Sequence, residues 1–458
     1  MIHSHCSKRI NLNGKIQISS SLSYDKAGEP MTEYDAVVVG AGIIGLSAAY
    51  YMKKSCPNHK IIVIDKMSAA GQGNTAKSAA MFRCFFYSST NLKLVSSSVE
   101  FFQHVQEELG VNLKIRWTGY LWLFSEENYH KIKNVLETMS KLGLEYRIYE
   151  AAEIAEKLGL KTSVTRNEEA ELMNLSDVYT GIFIPKAGSI DVDALVKFYE
   201  TEFIKLGGEI SYGTEVKNFI VEPRTPLGIP NEPYFWQESR VAGVNTNKGK
   251  IKARKTVVCV GAWAPKLLDT IGIPTHIKPI KRQIFCVKAK TEPLRSLLWT
   301  KGFNKENCMP FLILPHPSVY IKPAVEEEAF WLCYGDEFPR AYKLEENPQP
   351  EENFYTYGIY QIVTKYLPQF KNATPTSAFA GLYAVNTLDK QPLIFEKNDL
   401  IFAGGTSGSG IMKADAIGRI TAALYTQKPY ATLYGEKEFK TEELGLEKRK
   451  IEPEKFVI

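Results

Sequence analysis

Residues 34–66 limit the folds open to this chain more than any other stretch. The run AVVV at 36–39 is short, apolar and rich in β-branched residues, as a strand buried on both faces requires. It opens directly onto Gly40-Ala41-Gly42-Ile43-Ile44-Gly45, a G-x-G-x-x-G turn. In such a turn the first glycine permits the tight bend, the second lets backbone approach a pyrophosphate, and the third lets helix and strand pack closely. The helix expected next turns its unpaired N–H groups and the positive end of its dipole toward that anion. A second apolar strand at 61–64 ends at Asp65, about 20 residues past the last glycine, where a carboxylate can accept the hydroxyls of an adenosine ribose. Strand, turn, helix, strand and acid in this order predict a dinucleotide site.

At 458 residues, with 44% hydrophobic and 23% charged content, the chain suits two or three globular domains. Its net charge of +5 is small for the length, and no basic block or stripe gives a nucleic-acid footprint. None of the seven cysteines forms a C-x-x-C pair, and the seven histidines lack metal-ligand spacing. No metal site is expected, and a reducing, cytoplasmic setting fits better than a disulfide scaffold. The uncharged run 36–52 carries internal glycines and reads as a buried strand–turn–helix rather than a membrane span. Residues 1–30 lack a signal-peptide core and read as a disordered extension.

The loop 67–83 is small and polar up to Ala80, which suits close passage beside a planar ring system, and it ends at Arg83. Residues 92–109 read as a helix, 118–124 as an aromatic strand containing Tyr120, 127–144 and 151–158 as amphipathic helices, and 168–177 as an acidic loop. Asp191 is a natural N-cap for a helix at 194–206, and Val216 sits in the strand–turn–strand that follows. The strand 256–260 runs into Gly261-Ala262-Trp263, a small-residue turn at a strand's C-terminal end, where ligands of open α/β sheets bind. Alternating strand patterns return at 278–285, 312–322 and 329–334, the last two carrying Tyr320, Lys322 and Trp331; residues 353–366 read as a helix. A second glycine-rich turn, 404–410, joins a strand at 400–403 to a helix at 412–425, without the acidic partner of the first; its helix N-terminus can face a ring that becomes anionic on reduction. Residues 431–458 are charged and read as a tail.

Together the opening fingerprint, GNTAKSAAMFR, TGYLWLF, GSIDVDAL, VVCVGAWAPKL, PIKRQIF, GLYAVNTLDKQPLI and GGTSGSGIMKADAIGR resemble the FAD-dependent oxidoreductases of the D-amino-acid-oxidase superfamily, on the branch of sarcosine oxidase, glycine oxidase and dimethylglycine dehydrogenase. The resemblance covers residues 34–427. It implies an α/β fold in which a discontinuous Rossmann-like FAD domain (34–85, 181–280 and 380–430) carries an inserted α+β substrate domain on an antiparallel sheet (86–180 and 281–379). Gly40, Gly42, Ile43, Ile44 and Gly45 would hold the pyrophosphate and Asp65, with Lys66 beside it, the ribose; Val216 would meet the adenine. Asn74, Thr75, Ser78, Ala79, Gly261, Ala262, Trp263 and Gly381 would line the flavin, whose pyrimidine end Gly405, Ser407, Gly408, Gly410, Ile411 and Met412 would cradle.

Arg83 and, with a one-residue shift, Lys413 match positions that hold a substrate carboxylate in sarcosine oxidases; Lys322 is a third candidate cation, and Tyr320 and Tyr383 are candidate aromatic walls. The segment 382–389, where sarcosine oxidases tether flavin through cysteine, has none, and Lys77 stands where related dehydrogenases use histidine, so non-covalent FAD is expected. A lysine that promotes oxygen reaction in sarcosine oxidase falls near Trp331 here, which tilts the reading toward a dehydrogenase. The expected chemistry is hydride removal from a small amine or amino acid to the flavin, because the cofactor carries the hard step and the protein orients and shields it. The electron acceptor is open between oxygen, a quinone and a protein. Oxidation of a 2-hydroxy acid or glycerol phosphate stands as an alternative, as does a non-catalytic assembly factor or a subunit of an electron-transfer complex; a homo-oligomer is a further expectation.

Overall fold

In the computed structural model of the protein, residues 23–24, 30–336 and 344–456 are described; the expected disordered extension at 1–30 lies almost wholly outside them. The strand Pro30–Val39 alternates its core residues between two faces, Ala36 and Val38 packing into one core and Val37 and Val39 into another. That double burial is why the run has no polar alternation. It pairs in parallel with Ile61–Ile64 on one side and Gly249–Val258 on the other. Glu209–Ser211 extends the parallel set beyond Ile61–Ile64, and Leu400–Gly404 pairs in parallel with the end of Gly249–Val258. Antiparallel Ser239–Thr246 and Val216–Pro223 complete this flank of a nine-stranded mixed sheet.

Four helices cover one face: Ile43–Ser55, Ser89–Glu107, Val192–Lys205 and Ala414–Tyr425. Three of them, Ile43–Ser55, Val192–Lys205 and Ala414–Tyr425, are tied together by Asp415, fully buried at their junction. Its carboxylate accepts from the hydroxyls of Tyr51 and Tyr199 (3.1 Å for the latter) and from Arg419 Nε at 2.7 Å. Burying a carboxylate is costly unless it is paired in this way.

A second, eight-stranded sheet runs Ser377–Asn386, Ile277–Lys288, Ala329–Tyr334, Val319–Ala324, Phe311–Ile313, Tyr120–Phe124, Thr180–Ile184, Arg147–Glu150. All neighbours are antiparallel except Phe311–Ile313 with Tyr120–Phe124. Period-two alternation sorts Leu121 and Leu123 to one face of it and Tyr120 and Trp122 to the other.

Several sequence expectations change. The helix Ser89–Glu107, expected in the substrate domain, belongs to the first core: Leu94, Val95, Val99, Phe102 and Val105 are buried in it, and the helix packs against Ala414–Tyr425. The expected boundaries at 181, 281 and 380 fall inside strands of the second sheet, so Thr180–Ile184, the whole of Ile277–Lys288 and the whole of Ser377–Asn386 belong to that sheet. The acidic loop at 168–177 contains a short helix, Glu168–Leu172, capped by Asn167. The strand expected at 312–322 splits around Ser318, whose φ of 61° breaks extended pairing. The charged tail is no tail. Tyr430–Leu433 and Lys437–Lys440 form a hairpin, Leu433, Phe439 and Leu444 join the first core, and Phe456 is 2% exposed against the second sheet. Isolated apolar residues in a charged stretch are buried one at a time here, which leaves no periodic signal.

Candidate functional site

A cavity of about 800 Å³ lies where the parallel strands end and the two sheets meet. That places it in the upper part of the roughly 300–1,000 Å³ range of small-molecule pockets. Its floor is the first glycine turn. Gly40 has φ 109°, and a Cβ there would lie 2.6 Å from the Cys259 carbonyl oxygen; a Cβ on Gly45 would lie 1.9 Å from the Gly40 oxygen. No other residue type fits either position without moving backbone. Asp65 braces the turn, one carboxylate oxygen accepting from Ala41 N at 2.7 Å and the other from Met67 N at 2.8 Å. Thr75 Oγ1 accepts from Ile43 N at 3.2 Å, and Asn74 Oδ1 from Leu382 N at 2.9 Å, which ties the small-residue loop to both sheets.

Of the cofactor residues expected from sequence, all but Gly45, Ser407 and Met412 line this cavity. Gly45 acts one step back, through the close helix–strand contact. Ser407 turns its hydroxyl to Gly405 O and Asn386 N, and Met412 packs into the first core. At the second glycine turn, a Cβ on Gly408 would meet the Tyr383 ring at 2.3 Å, so this glycine admits the tyrosine to the cavity wall. Lining residues outside the cofactor set expected from sequence include Lys77 and Leu382, noted there only as positions of absent flavin tethers, and Lys266, Arg282, Glu346 and Asn347. The first four stand within or beside recognised blocks; Glu346 and Asn347 follow no motif.

The candidate substrate residues divide into groups. Tyr320 and Tyr383 line the cavity side by side, each half-buried. Arg83 and Lys413 lie just behind, in short elements that continue from lining residues Ala79 and Ile411. Both are buried, 8% and 1% exposed, and both face the Phe86 ring, at 4.4 and 5.9 Å; Arg83 also covers Trp122 at 4.7 Å. Neither has an ion-pair partner among the described residues, and Arg83 Nε has no hydrogen-bond partner there. Lys413 donates to Gln391 Oε1 at 3.2 Å. Burial, with repulsion from Arg83 added, pulls the Lys413 ammonium down to about 7.

The structure does not bring Lys322 to this pair. Its ammonium donates to Ala79 O at 2.8 Å and sits 4.2 Å over the Trp331 ring, and burial lowers it to about 8. Lys322 buttresses the small-residue loop, and Trp331 packs across strands from it rather than facing the cavity.

One edge of the cavity is closed by a short segment between the second sheet and the helix Gln361–Tyr366. Glu346 on it pairs with Lys66 and, at 3.6 Å, with Lys266, while Asn347 Oδ1 accepts from Lys77 Nζ at 3.1 Å. Leu344 anchors the same segment against the first sheet's outer core, and Lys66 lies 4.5 Å over the Trp263 ring. These ion pairs are half exposed, so each contributes about 0.5 kcal/mol. Glu346→Gln is therefore expected to speed loss of the bound ligand about three- to fivefold, read by stopped-flow dilution. An unchanged rate would show that this segment does not gate the cavity.

Residues 35–424 match the profile of a family described as FAD dependent oxidoreductase, DAO. Among curated relatives, the "FAD-dependent oxidoreductase domain-containing protein 1" of Xenopus laevis is 23% identical over 88% of this chain and 81% of its own length. A "putative sarcosine oxidase" of Caenorhabditis elegans is 24% identical over 87% and 94%. Among solved structures, L-proline dehydrogenase from P. horikoshii superposes with a TM-score of 0.68 at 25% identity, covering 86% of this chain and 94% of that one. Glycine oxidase from Bacillus cereus gives 0.64 at 19%, over 86% and 95%, a likeness of fold.

Proposed function

This chain belongs to the FAD dependent oxidoreductase (DAO) family, and from that membership we propose its substrate class: a small amine or amino acid carrying a carboxylate, of the N-substituted-glycine kind, oxidised with non-covalently held FAD. That the protein is an FAD-dependent oxidoreductase follows from the family; the finer reading rests on one observation. Arg83 and Lys413 are two buried cations that share an aromatic ring and lack a counter-ion among the described residues, next to the tyrosine-walled end of the cavity. Unpaired buried charge is expensive, and a small anion relieves it. Relatives named as sarcosine oxidases support the same class.

The residues present fit FAD. The glycine turn and Asp65 would hold its pyrophosphate and ribose, and the turn at Gly404–Gly410 with Ala262 and Trp263 would take the ring. When bound, FAD supplies a two-electron acceptor for a hydride from the substrate α-carbon. The chain's own part is to fix that carbon. Arg83 and Lys413 would hold the carboxylate, Tyr320 and Tyr383 would wall the chamber and exclude water, and the neutral amine would be left to form an imine that water hydrolyses to amine and carbonyl products. Cys259 is the cysteine on the cavity wall, and burial pushes its thiol up to about 12, so it is no nucleophile for a tether. Acid precipitation is therefore expected to leave yellow flavin in the supernatant; colour in the pellet would overturn the non-covalent reading.

The deciding experiment is an anaerobic panel of sarcosine, proline and 2-hydroxyglutarate read at the flavin band. Bleaching by sarcosine or proline supports the amine class, and bleaching by 2-hydroxyglutarate alone replaces it with hydroxy-acid oxidation. No bleaching by any would favour a non-catalytic role. Adding oxygen to the reduced protein then separates oxidase from dehydrogenase.

A further inference from the structure

Arg83 and Lys413 are each reached, through intermediaries, by one segment, Arg449–Phe456, whose sequence suggests only a charged extension. On the Lys413 side, the Arg449 guanidinium grips Asp389 through two parallel bonds, Nε to Oδ2 at 2.6 Å and Nη2 to Oδ1 at 2.7 Å. It also donates to the carbonyls of Gln391 at 3.2 Å and Pro392 at 3.1 Å. Asp389 Oδ1 accepts from Gln391 N at 3.0 Å as well. Arg449 thus fixes the short turn whose buried Gln391 side chain receives the Lys413 ammonium. A bidentate arginine–carboxylate pair holds geometry as well as charge.

On the Arg83 side, Glu454 accepts from the backbone N–H groups of Tyr87 (2.9 Å) and Ser88 (3.2 Å) and from Asn91 Nδ2 (3.1 Å). Those bonds secure the entry to the helix Ser89–Glu107, a few residues past Arg83. Two residues on, the Phe456 ring meets Trp122 edge-on at 4.8 Å and 89°, and Phe85 at 5.3 Å. Trp122 is the indole that Arg83 covers. Phe456, Trp122 and Arg83 therefore form one continuous series of ring contacts, and Arg449, Gln391 and Lys413 form one continuous hydrogen-bonded chain.

We propose that Arg449–Phe456 is a strap that sets the spacing and orientation of the two cations, with Arg449 positioning Lys413 through Gln391 and Phe456 positioning Arg83 through Trp122. This rests on the reading of Arg83 and Lys413 as the carboxylate site and adds to it the residues that determine how well that site discriminates. Glu454 fits the same role. Its negative charge acts on both Arg83 and Lys413, yet its oxygens are committed to backbone N–H groups, so it moderates the repulsion between the cations without occupying the place of a ligand.

The test uses the full-length flavin-loaded protein and the probe pair propionate and propionamide, binding read from perturbation of the flavin spectrum. Arg449→Ala and Phe456→Ala are expected to weaken propionate at least tenfold and leave propionamide and flavin content unchanged, with Arg449→Lys recovering part of the loss. Equal weakening of both probes, or wild-type affinity for propionate, would overturn the positioning role. Should Phe456→Ala fail to load flavin, Phe456→Leu keeps the apolar volume while removing the ring edge, and the same criterion applies. A wild-type protein that binds both probes equally sinks the carboxylate reading and the strap with it; wild-type discrimination that survives in the variants sinks the strap alone.

Discussion

Gly45→Ala is expected to give a chain that purifies without flavin. The new Cβ would sit 1.9 Å from the Gly40 carbonyl oxygen and 3.3 Å from Cys259 Cβ. The first obstruction is backbone, so no side-chain rotation relieves it, and the helix Ile43–Ser55 must lift from the strand it follows. Overpacking of this kind costs about 1–3 kcal/mol or more. The displacement falls on the turn that presents N–H groups to the pyrophosphate, so the FAD dissociation constant should rise on the order of 100-fold. Gly73→Ala is the matched control: Gly73 also lines the cavity, but a Cβ there meets nothing within 4 Å, and flavin content should stay at the wild-type level. Wild-type FAD affinity in Gly45→Ala would show that the helix–strand contact does not govern the site.

Removing either buried cation is the second large effect. Hydrogen bonds to a charged group contribute about 1.5–3 kcal/mol, so Arg83→Met and Lys413→Met should each weaken a carboxylate ligand roughly 10- to 100-fold. The methionine side chain keeps most of the buried volume, which separates loss of charge from collapse. The two variants differ in pH dependence. Lys413 titrates near 7 in the free protein, so its charge is present below that pH and lost above it. Propionate affinity should therefore fall as pH rises from 6 to 8, by about tenfold at the limit where only the protonated form binds. Lys413→Met should be flat over the same interval, whereas Arg83→Met should keep a slope but move it to higher pH, because loss of the guanidinium removes its repulsion of the Lys413 ammonium. A slope that persists in Lys413→Met would assign the titration to another group.

The parts of this site that can be read from sequence are those imposed by backbone. Gly40, Gly45, Gly408 and Asp65 sit at strand ends or in the turns and helix start that follow them, where steric closeness or a carboxylate is compulsory, so residue type and spacing carry the information. Arg83 and Lys413 were accessible only through resemblance, because a single cation at the end of a loop carries no local signature. Gln391, Glu346 and Arg449 were not accessible. Each acts through a partner far away in sequence, as Arg449 does on Asp389 and Glu346 on Lys66, and nothing near them changes period or composition. The C-terminal segment escapes a compositional reading for a related reason: composition averages over a stretch, whereas Leu444 and Phe456 are buried singly among charges. Lys322 shows the opposite error, a residue of the right chemistry whose ammonium is taken up by a backbone carbonyl.

The junction at Asp415 sets the order in which this molecule can assemble. Ser47 Oγ bonds Ala414 O across 367 positions, Tyr51 reaches Asp415 across 364, and Tyr199 reaches it across 216. The helix that opens the cofactor cradle thus finds its packing partner only after almost all of the chain is available, and closing such long loops is slow. A ribosome-bound chain carrying the first glycine turn but not the helix Ala414–Tyr425 would expose the apolar faces of Leu46 and Ala49 and depend on chaperones until its register partner emerges. Flavin capture is accordingly a late event in the life of the polypeptide.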